Sequence, residues 1–456
     1  SKRLGLFLDH YAVELWQQRD ENLRTQTGLD DIIPQLPDMT SRAITRPFYS
    51  AVFTAHPVFA LKPEVSAAMC HHAVAKAGVV PHDAFAPRQS VTLDDEHGEA
   101  MAALKHARAA INEINADILR QLRSADPDGW RKTLPAMINV STWVGYDLDG
   151  RSDISWTDSF RLRLREKYMA LRGYERAVRD SKIDMLSPVA DRLAVGCATT
   201  SQHLKAFEAV ESGKAEFDTV MNALTEDPDR LVSSHALAKE IHQIAQDIPD
   251  EEDALTALVI SADISTHGFG MGEVHLRINA AQIRNAMRPV DGRTISVSDG
   301  VSSPRLLIER LALRIRKESA WDISFASLDG ETATARRQLM LATQFLKHID
   351  SDQPVRLLIA ECEKPLTIMS ALYLAHKFGI TGMIDISPLF ETSYGLEHGE
   401  KIVDQLLQQP VFIDYLRQRG RLSIQTGFSD AGRFVGQVAA NICLLYTSDA
   451  ADDLWC

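Results

Sequence analysis

Two carboxylates lie just beyond two strand-like runs late in the sequence. Glu391 follows Ile386-Ser387-Pro388-Leu389-Phe390, and Asp430 sits in Thr426-Gly427-Phe428-Ser429-Asp430-Ala431-Gly432-Arg433. Residues just past the ends of parallel strands converge on one face of an α/β barrel, the face where active sites form. A pair of carboxylates there suits a hard cation such as Mg²⁺, which takes oxygen ligands and keeps positions open for water or substrate. Taken singly, each acid reads more readily as a cap, Asp430 as the N-cap of a helix over Ala431–Ile442. Their equivalent placement at two strand ends brings the metal reading level with the capping one.

Other residues could do chemistry beside them. Tyr49–Thr54 is a short β-branched and aromatic run leading into Ala55-His56-Pro57. That places an imidazole at a strand end, with proline fixing the backbone after it. A histidine there is often structural, but one titrating near neutrality can also move protons. Arg277, within the strand-like Val274–Ile278, reads on the pattern alone as an arginine that could snorkel from a barrel strand. Asp147-Leu148-Asp149-Gly150 is a tight polar turn, and no glutamate follows at the spacing a calcium loop needs. Gly268-Phe269-Gly270-Met271-Gly272 lacks the preceding strand of a dinucleotide fingerprint, so it is expected to be a flexible lead-in to Val274–Ile278.

The elements that must position these residues change character along the chain. Helical periodicity covers Leu4–Asn22, Pro63–Ala77, Asp94–Leu122, Thr157–Arg179, Arg192–Ser212 and Leu231–Gln246. After about Asp263, short buried strands at Val274–Ile278, Val355–Ala360, Met383–Ile386 and Leu422–Gln425 alternate with helices at Ala280–Arg288, Pro365–Phe378, Glu397–Gln408 and Ala431–Ile442. Such alternation predicts parallel strands with crossover helices, in a barrel or in an open doubly wound sheet. The expected division is a helical segment over 1–48, a mostly helical region over 49–262 holding the first barrel strand near 49–54, and β/α units over 263–442. Residues 443–456 are expected to be a non-native tail, because Phe434–Ile442 runs without a cap into Cys443-Leu444-Leu445-Tyr446-Thr447-Ser448-Asp449.

Bulk properties limit the partners. The 456 residues are 45% hydrophobic and 24% charged, as in an ordinary globular protein. A formal charge of −13, from 49 basic and 62 acidic residues, argues against nucleic acid or an anionic membrane as partner. A small anionic substrate remains compatible, since a few local arginines can hold one. No apolar run is long enough to cross a bilayer. The five cysteines show no paired spacing, which fits a reduced, cytoplasmic setting.

Several of these motifs, in order, resemble the phosphoenolpyruvate carboxylase family. Pro388-Leu389-Phe390-Glu391-Thr392 matches the family's P-L-F-E-T in full, and Phe428–Arg433 matches part of Y-S-D-S-x-K-D-A-G. Gln409-Pro410-Val411-Phe412 between them also looks like the family. Thr54-Ala55-His56-Pro57 resembles T-A-H-P-T-E, with Val58 and Phe59 in place of the last two residues. Trp143–Gly150 resembles M-G-G-D-R-D-G, with Leu148 in place of the basic residue, and His275-Leu276-Arg277 resembles D-I-R. The departures mark a divergent branch.

The resemblance implies a predominantly helical α/β chain holding an incomplete (β/α) barrel of the TIM type with large helical insertions. Its implied activity is that of a carbon–carbon lyase fixing carbon dioxide: bicarbonate and phosphoenolpyruvate give carboxyphosphate and an enolate, then oxaloacetate and phosphate, feeding the tricarboxylic acid cycle. Glu391 and Asp430 would be ligands of Mg²⁺, or of Mn²⁺ in its place. His56 would handle the proton, with Arg277 and Arg433 (where the family has lysine) offsetting phosphate charge. The resemblance also implies a cytoplasmic homotetramer. The family's Gly- and Arg-rich H-G-R-G-G-x-x-G-R-G-G run does not occur in these residues, so the chain alone is expected to be inactive. Two other classes stay open: a non-catalytic helical assembly protein with a decayed barrel, favoured by Val58, Phe59 and Leu148, and another Mg²⁺-dependent barrel lyase or aldolase acting on a pyruvate-like enolate.

Overall fold

Strand order separates the two sheet architectures that the alternating pattern allows. The computed structural model describes residues 44–47, 49–53, 91–149, 151, 153–210, 215–288, 303–427 and 443. Among them, β1 (Tyr49–Phe53), β2 (Ile138–Thr142), β3 (Glu273–Asn279), β4 (Val355–Ala360), β5 (Ile384–Phe390) and β6 (Gln425–Thr426) form one sheet. All neighbouring pairs are parallel and lie in chain order, β1-β2-β3-β4-β5-β6. A doubly wound sheet reverses direction at a switch point, and this one does not. Connections between successive neighbours, right-handed as such crossovers are, return on one face, so the sheet curls about its other face. The result is a curled half-barrel within a mostly helical chain, consistent with an incomplete α/β barrel.

Thirteen α-helices surround it among the described residues: α1 (Leu93–Ala125), α2 (Trp156–Ser181), α3 (Ser187–Glu208), α4 (Ala215–Glu226), α5 (Ser234–Asp247), α6 (Glu251–His267), α7 (Ala280–Ala286), α8 (Pro304–Lys317), α9 (Phe325–Asp329), α10 (Thr334–His348), α11 (Pro365–Lys377), α12 (Ser393–Leu407) and α13 (Pro410–Arg419). Their starts follow from local chemistry. Thr92 with Asp95, Ser155 with Asp158, and Asn279 with Gln282 form reciprocal capping boxes at α1, α2 and α7. Proline opens α8, α11 and α13, where a missing N–H costs nothing.

Two apolar cores result. Val274, Leu276 and Ile278 of β3, with Val355, Leu357 and Ile359 of β4 and Ile384 and Ile386 of β5, pack outward onto the crossover helices. A second core joins α1, α2, α3, α5 and α6 through Leu104, Leu119, Leu171, Leu193, Ile241 and Leu258. Alternation puts the other strand residues inside the curl, and many of them are polar. Asn139, Ser141, Glu273, His275, Asp385 and Ser387 are all buried there.

Several sequence expectations need correction. β2 was not anticipated, because Asn139 and Ser141 face the polar interior and Thr142, level with Val274, interrupts the apolar outward face. β5 does not stop at Ile386 but runs through Pro388 to Phe390. Pro388 is the last residue paired with β4, and Leu389 the first paired with β6, so the absent N–H falls at the handover between neighbours. β6 is Gln425–Thr426 rather than Leu422–Gln425. The Gly268–Gly272 segment is buried, not a loose lead-in. Gly272 passes so close to the Val140 carbonyl that a Cβ would come within 2.6 Å of its oxygen, and Gly270 is pressed against the Arg163 guanidinium. Its glycines serve close approach. The helices expected at Leu4–Asn22, Pro63–Ala77 and Ala431–Ile442 lie outside the described residues.

Candidate functional site

Parallel strands bring their C-terminal ends to one rim, and the ends of β2, β3, β4 and β5 carry charged residues there. β3 delivers Arg277 and Asn279, and the turn after β2 lies alongside them. Leu148 N–H donates to the Arg277 carbonyl at 2.9 Å, and Arg277 N–H donates to the Tyr146 carbonyl at 3.2 Å. The turn thereby extends the sheet by a bridge between Asp147 and Arg277. Asp149 accepts from Arg277 Nη2 at 3.2 Å and from Asn279 Nδ2 at 3.0 Å. Asp147 Oδ2 lies 4.0 Å from Arg277 Nη1, and Oδ1 of the same side chain accepts from Asp149 N–H at 2.9 Å. Burial pushes the Asp147 carboxyl up from its ordinary value, against the pull of the Asp149 N–H and Arg277.

β5 delivers Glu391 to the same place. Its Oε2 lies 3.6 Å from Arg277 Nη2, and its Oε1 accepts from Glu361 N–H at 3.1 Å. The Glu391 side chain is 8% exposed. Glu361, just after β4, adopts φ of 53°. That left-handed conformation is costly for a side chain bearing a Cβ, and such strain is held where surrounding structure demands it. Here it points an N–H at Glu391. A β-branched residue suffers more, so Glu361→Val is expected to lower stability by about 1–3 kcal/mol while Glu361→Gly does not, as read by urea unfolding.

The next strand end sets the other wall. Gly427 N–H donates to the Phe390 carbonyl at 3.1 Å, and a Cβ on Gly427 would fall 2.5 Å from Glu391 Cβ. Both atoms are close to backbone, so neither can swing away. Gly427→Ala is therefore expected to displace Glu391, weakening any ligand held by that carboxylate by ~10-fold or more with a folded chain by circular dichroism. Unchanged ligand affinity in that variant would show that the contact does not hold Glu391 in place.

Of the five residues singled out from sequence, Glu391 and Arg277 come together at this rim. His56, Asp430 and Arg433 lie outside the described residues. Asp147 and Asp149 of the polar turn pair with Arg277, and Asp149 also holds Asn279. Glu361, Asn279 and Gly427 were not anticipated: strain at Glu361 and the closeness of Gly427 are tertiary properties, whereas the Asn279–Gln282 cap had a readable sequence signal.

Chemically, the rim gathers the carboxylates of Asp147, Asp149 and Glu391 around the Arg277 guanidinium. Among the described residues no group of three or more His, Cys, Asp or Glu is placed so that it could hold a metal ion. Arg277 Nε is buried with no hydrogen-bond partner among the described residues, and a bound anion would satisfy it. The rim thus offers a guanidinium held by three carboxylates and with donor capacity to spare.

Comparison with known proteins follows the same line. The family model described as phosphoenolpyruvate carboxylase matches residues 326–451. A phosphoenolpyruvate carboxylase of Thermus thermophilus is 30% identical over 91 residues, covering 19% of this chain and 11% of the relative. One from Marinomonas is 30% identical over 82 residues, 18% of this chain and 9% of the relative. A longer match, 23% identical over 229 residues, links the chain to the Corynebacterium glutamicum enzyme, covering 47% of this chain and 24% of the relative. The chain therefore spans a quarter or less of the length of these relatives. No helix among the described residues is long and apolar enough to cross a membrane. The resemblance to the phosphoenolpyruvate carboxylase family read from the motifs is borne out, at low identity, by the family match over residues 326–451 and by these curated relatives.

Proposed function

We propose that the rim at the C-terminal ends of the strands belongs to a carboxylase that joins bicarbonate to phosphoenolpyruvate, releasing oxaloacetate and phosphate. The observation that carries this reading is Glu391, the acid of the fully matched P-L-F-E-T motif, meeting Arg277 at 3.6 Å from a different strand. Glu391 and Asp430 would hold Mg²⁺, or Mn²⁺ in its place. When bound, the cation supplies Lewis-acid stabilisation of the charge that develops on the enolate oxygen. Arg277 would neutralise phosphate charge in a site that Asp147 and Asp149 preorganise, so that little reorganisation is needed as charge moves. Arg433 would add a second positive charge, as a fork where the family has a point charge. His56 would carry the proton as carboxyphosphate breaks down. Closure of the sheet into a full TIM-type barrel, a homotetrameric and cytoplasmic enzyme, and a role in replenishing the tricarboxylic acid cycle are parts of the same proposal.

Oxalate tests the substrate class, because it mimics a planar pyruvate enolate. The chain is expected to bind oxalate in a Mg²⁺-dependent manner, to lose it to phosphoenolpyruvate, and to ignore succinate. Equal affinity for oxalate and succinate would overturn the enolate reading. In a coupled assay these 456 residues are expected to form no oxaloacetate, since the Gly- and Arg-rich run is not among them. Bicarbonate-dependent oxaloacetate from this chain would contradict that part of the proposal.

A further inference from the structure

The opposite rim of the sheet, at the N-terminal ends of the strands, holds a second charged cavity. It is lined by Tyr49 and Ser50 from the start of β1, Arg356 from the start of β4, and Arg421 and Ser423 from the segment leading into β6, with a volume of about 220 Å³. That exceeds by several-fold the ~30 Å³ share of one water molecule, leaving room for a small ion with part of its hydration.

Its polar groups are short of acceptors. Arg356 Nε and Ser50 Oγ are both buried without a hydrogen-bond partner among the described residues. Among the described residues Arg356 has one distant ion pair, its Nη2 lying 4.0 Å from Glu273 Oε2. Arg421 donates through Nε to Asp385 Oδ2 at 2.9 Å, and Arg419 donates to the other oxygen of Asp385 at 2.8 Å. Arg421 also reaches toward Glu273 at 3.7 Å. Among the described residues three guanidiniums (Arg356, Arg419 and Arg421) thus face two carboxylates (Glu273 and Asp385), leaving one positive charge in a partly enclosed space. His275, on the strand beside Arg356, is buried, and burial lowers its basicity, so it adds no charge near neutrality. The Arg356 and Arg421 side chains remain 20% and 34% exposed, so the cavity is open to solutes. An unsatisfied buried donor is costly, and a guanidinium satisfies an oxyanion through charge-assisted bonds.

We propose that this cavity binds a small oxyanion of the phosphate class, held by Arg356 and Arg421 with Ser50 and Ser423, at a site separate from the rim that carries Glu391. This goes beyond the carboxylase reading and does not depend on it. Calorimetric titration of the full chain with inorganic phosphate, at ionic strength fixed with sodium chloride, is the test. Saturable binding is expected, weakened at least ~10-fold in Arg356→Lys, which keeps the charge and loses the fork. Ser423→Glu, which brings a carboxylate into the cavity, is expected to fold and to stop responding to phosphate. Arg277→Gln is expected to leave this binding in place, which separates it from any phosphate held at the other rim. Binding no stronger than that of chloride would overturn the site, as would phosphate affinity unchanged in both Arg356→Lys and Ser423→Glu, or lost in Arg277→Gln alone.

Discussion

Glu391→Ala is expected to weaken Mn²⁺ binding, followed by the electron paramagnetic resonance of free Mn²⁺, by at least ~100-fold, because even outer partners of a metal ligand contribute 10- to 100-fold. The chain should stay folded. Glu391 side-chain atoms contact Arg277 at 3.6 Å and the Glu361 N–H at 3.1 Å, and both partners sit at a rim that water can reach once the carboxylate is gone. Glu391→Gln is the sharper variant. It keeps an acceptor for the Glu361 N–H and the size of the side chain while removing the charge, so loss of Mn²⁺ affinity there points to ligation rather than collapse. If both variants bind Mn²⁺ as the parent does, Glu391 is a capping and pairing residue, which is the other reading its sequence position allows.

The second large effect is on stability and arises beneath the site. Glu166 is fully buried on α2. It pairs with Arg163, accepts from the Tyr146 hydroxyl at 2.6 Å and lies 3.0 Å from His97 Nε2. Tyr146 opens the turn that carries Asp147 and Asp149, and its carbonyl accepts from Gln338 Nε2 at 3.0 Å as well as from Arg277 N–H. Removing one member of a buried pair leaves the other charge uncompensated, so Glu166→Ala should cost about 3–5 kcal/mol in urea unfolding.

The pH dependence has a definite sign. Burial raises the Glu166 carboxyl, but Arg163, His97 and Tyr146 more than reverse this, holding it near 2 against an ordinary 4.5. A depressed carboxyl contributes stability above its unfolded value and loses it as pH falls toward the folded value. The parent should therefore lose stability between about pH 4.5 and 2, and Glu166→Gln should show a flatter acid limb. An acid limb unchanged in that variant would remove Glu166 from the account.

Much of the fold was legible because its signals are local. The span expected for β4 was recovered unchanged at Val355–Ala360, an apolar run buried on both faces, and α11 follows at Pro365 as a proline-opened helix should. What stayed hidden depends on the sheet interior. The pattern that would expose a strand weakens wherever one face is polar, as in β2, and a proline reads as a stop unless the change of partner at Pro388 is known. The site was legible in part for the same reason. Glu391 and Arg277 stand on strands with clear signals, and their meeting follows once the strands are adjacent through β4. The strained Glu361 and the wall at Gly427 are set by the backbones of neighbouring strands, which no single segment records.

The rim's identity as a metal-assisted phosphoenolpyruvate site is tested most directly by calorimetric titration of phosphoenolpyruvate into the parent chain and Glu391→Ala, each with and without Mg²⁺. The predicted result is binding by the parent only when Mg²⁺ is present, and none in the variant under either condition. Binding that ignores Mg²⁺, or that survives intact in Glu391→Ala, would contradict it.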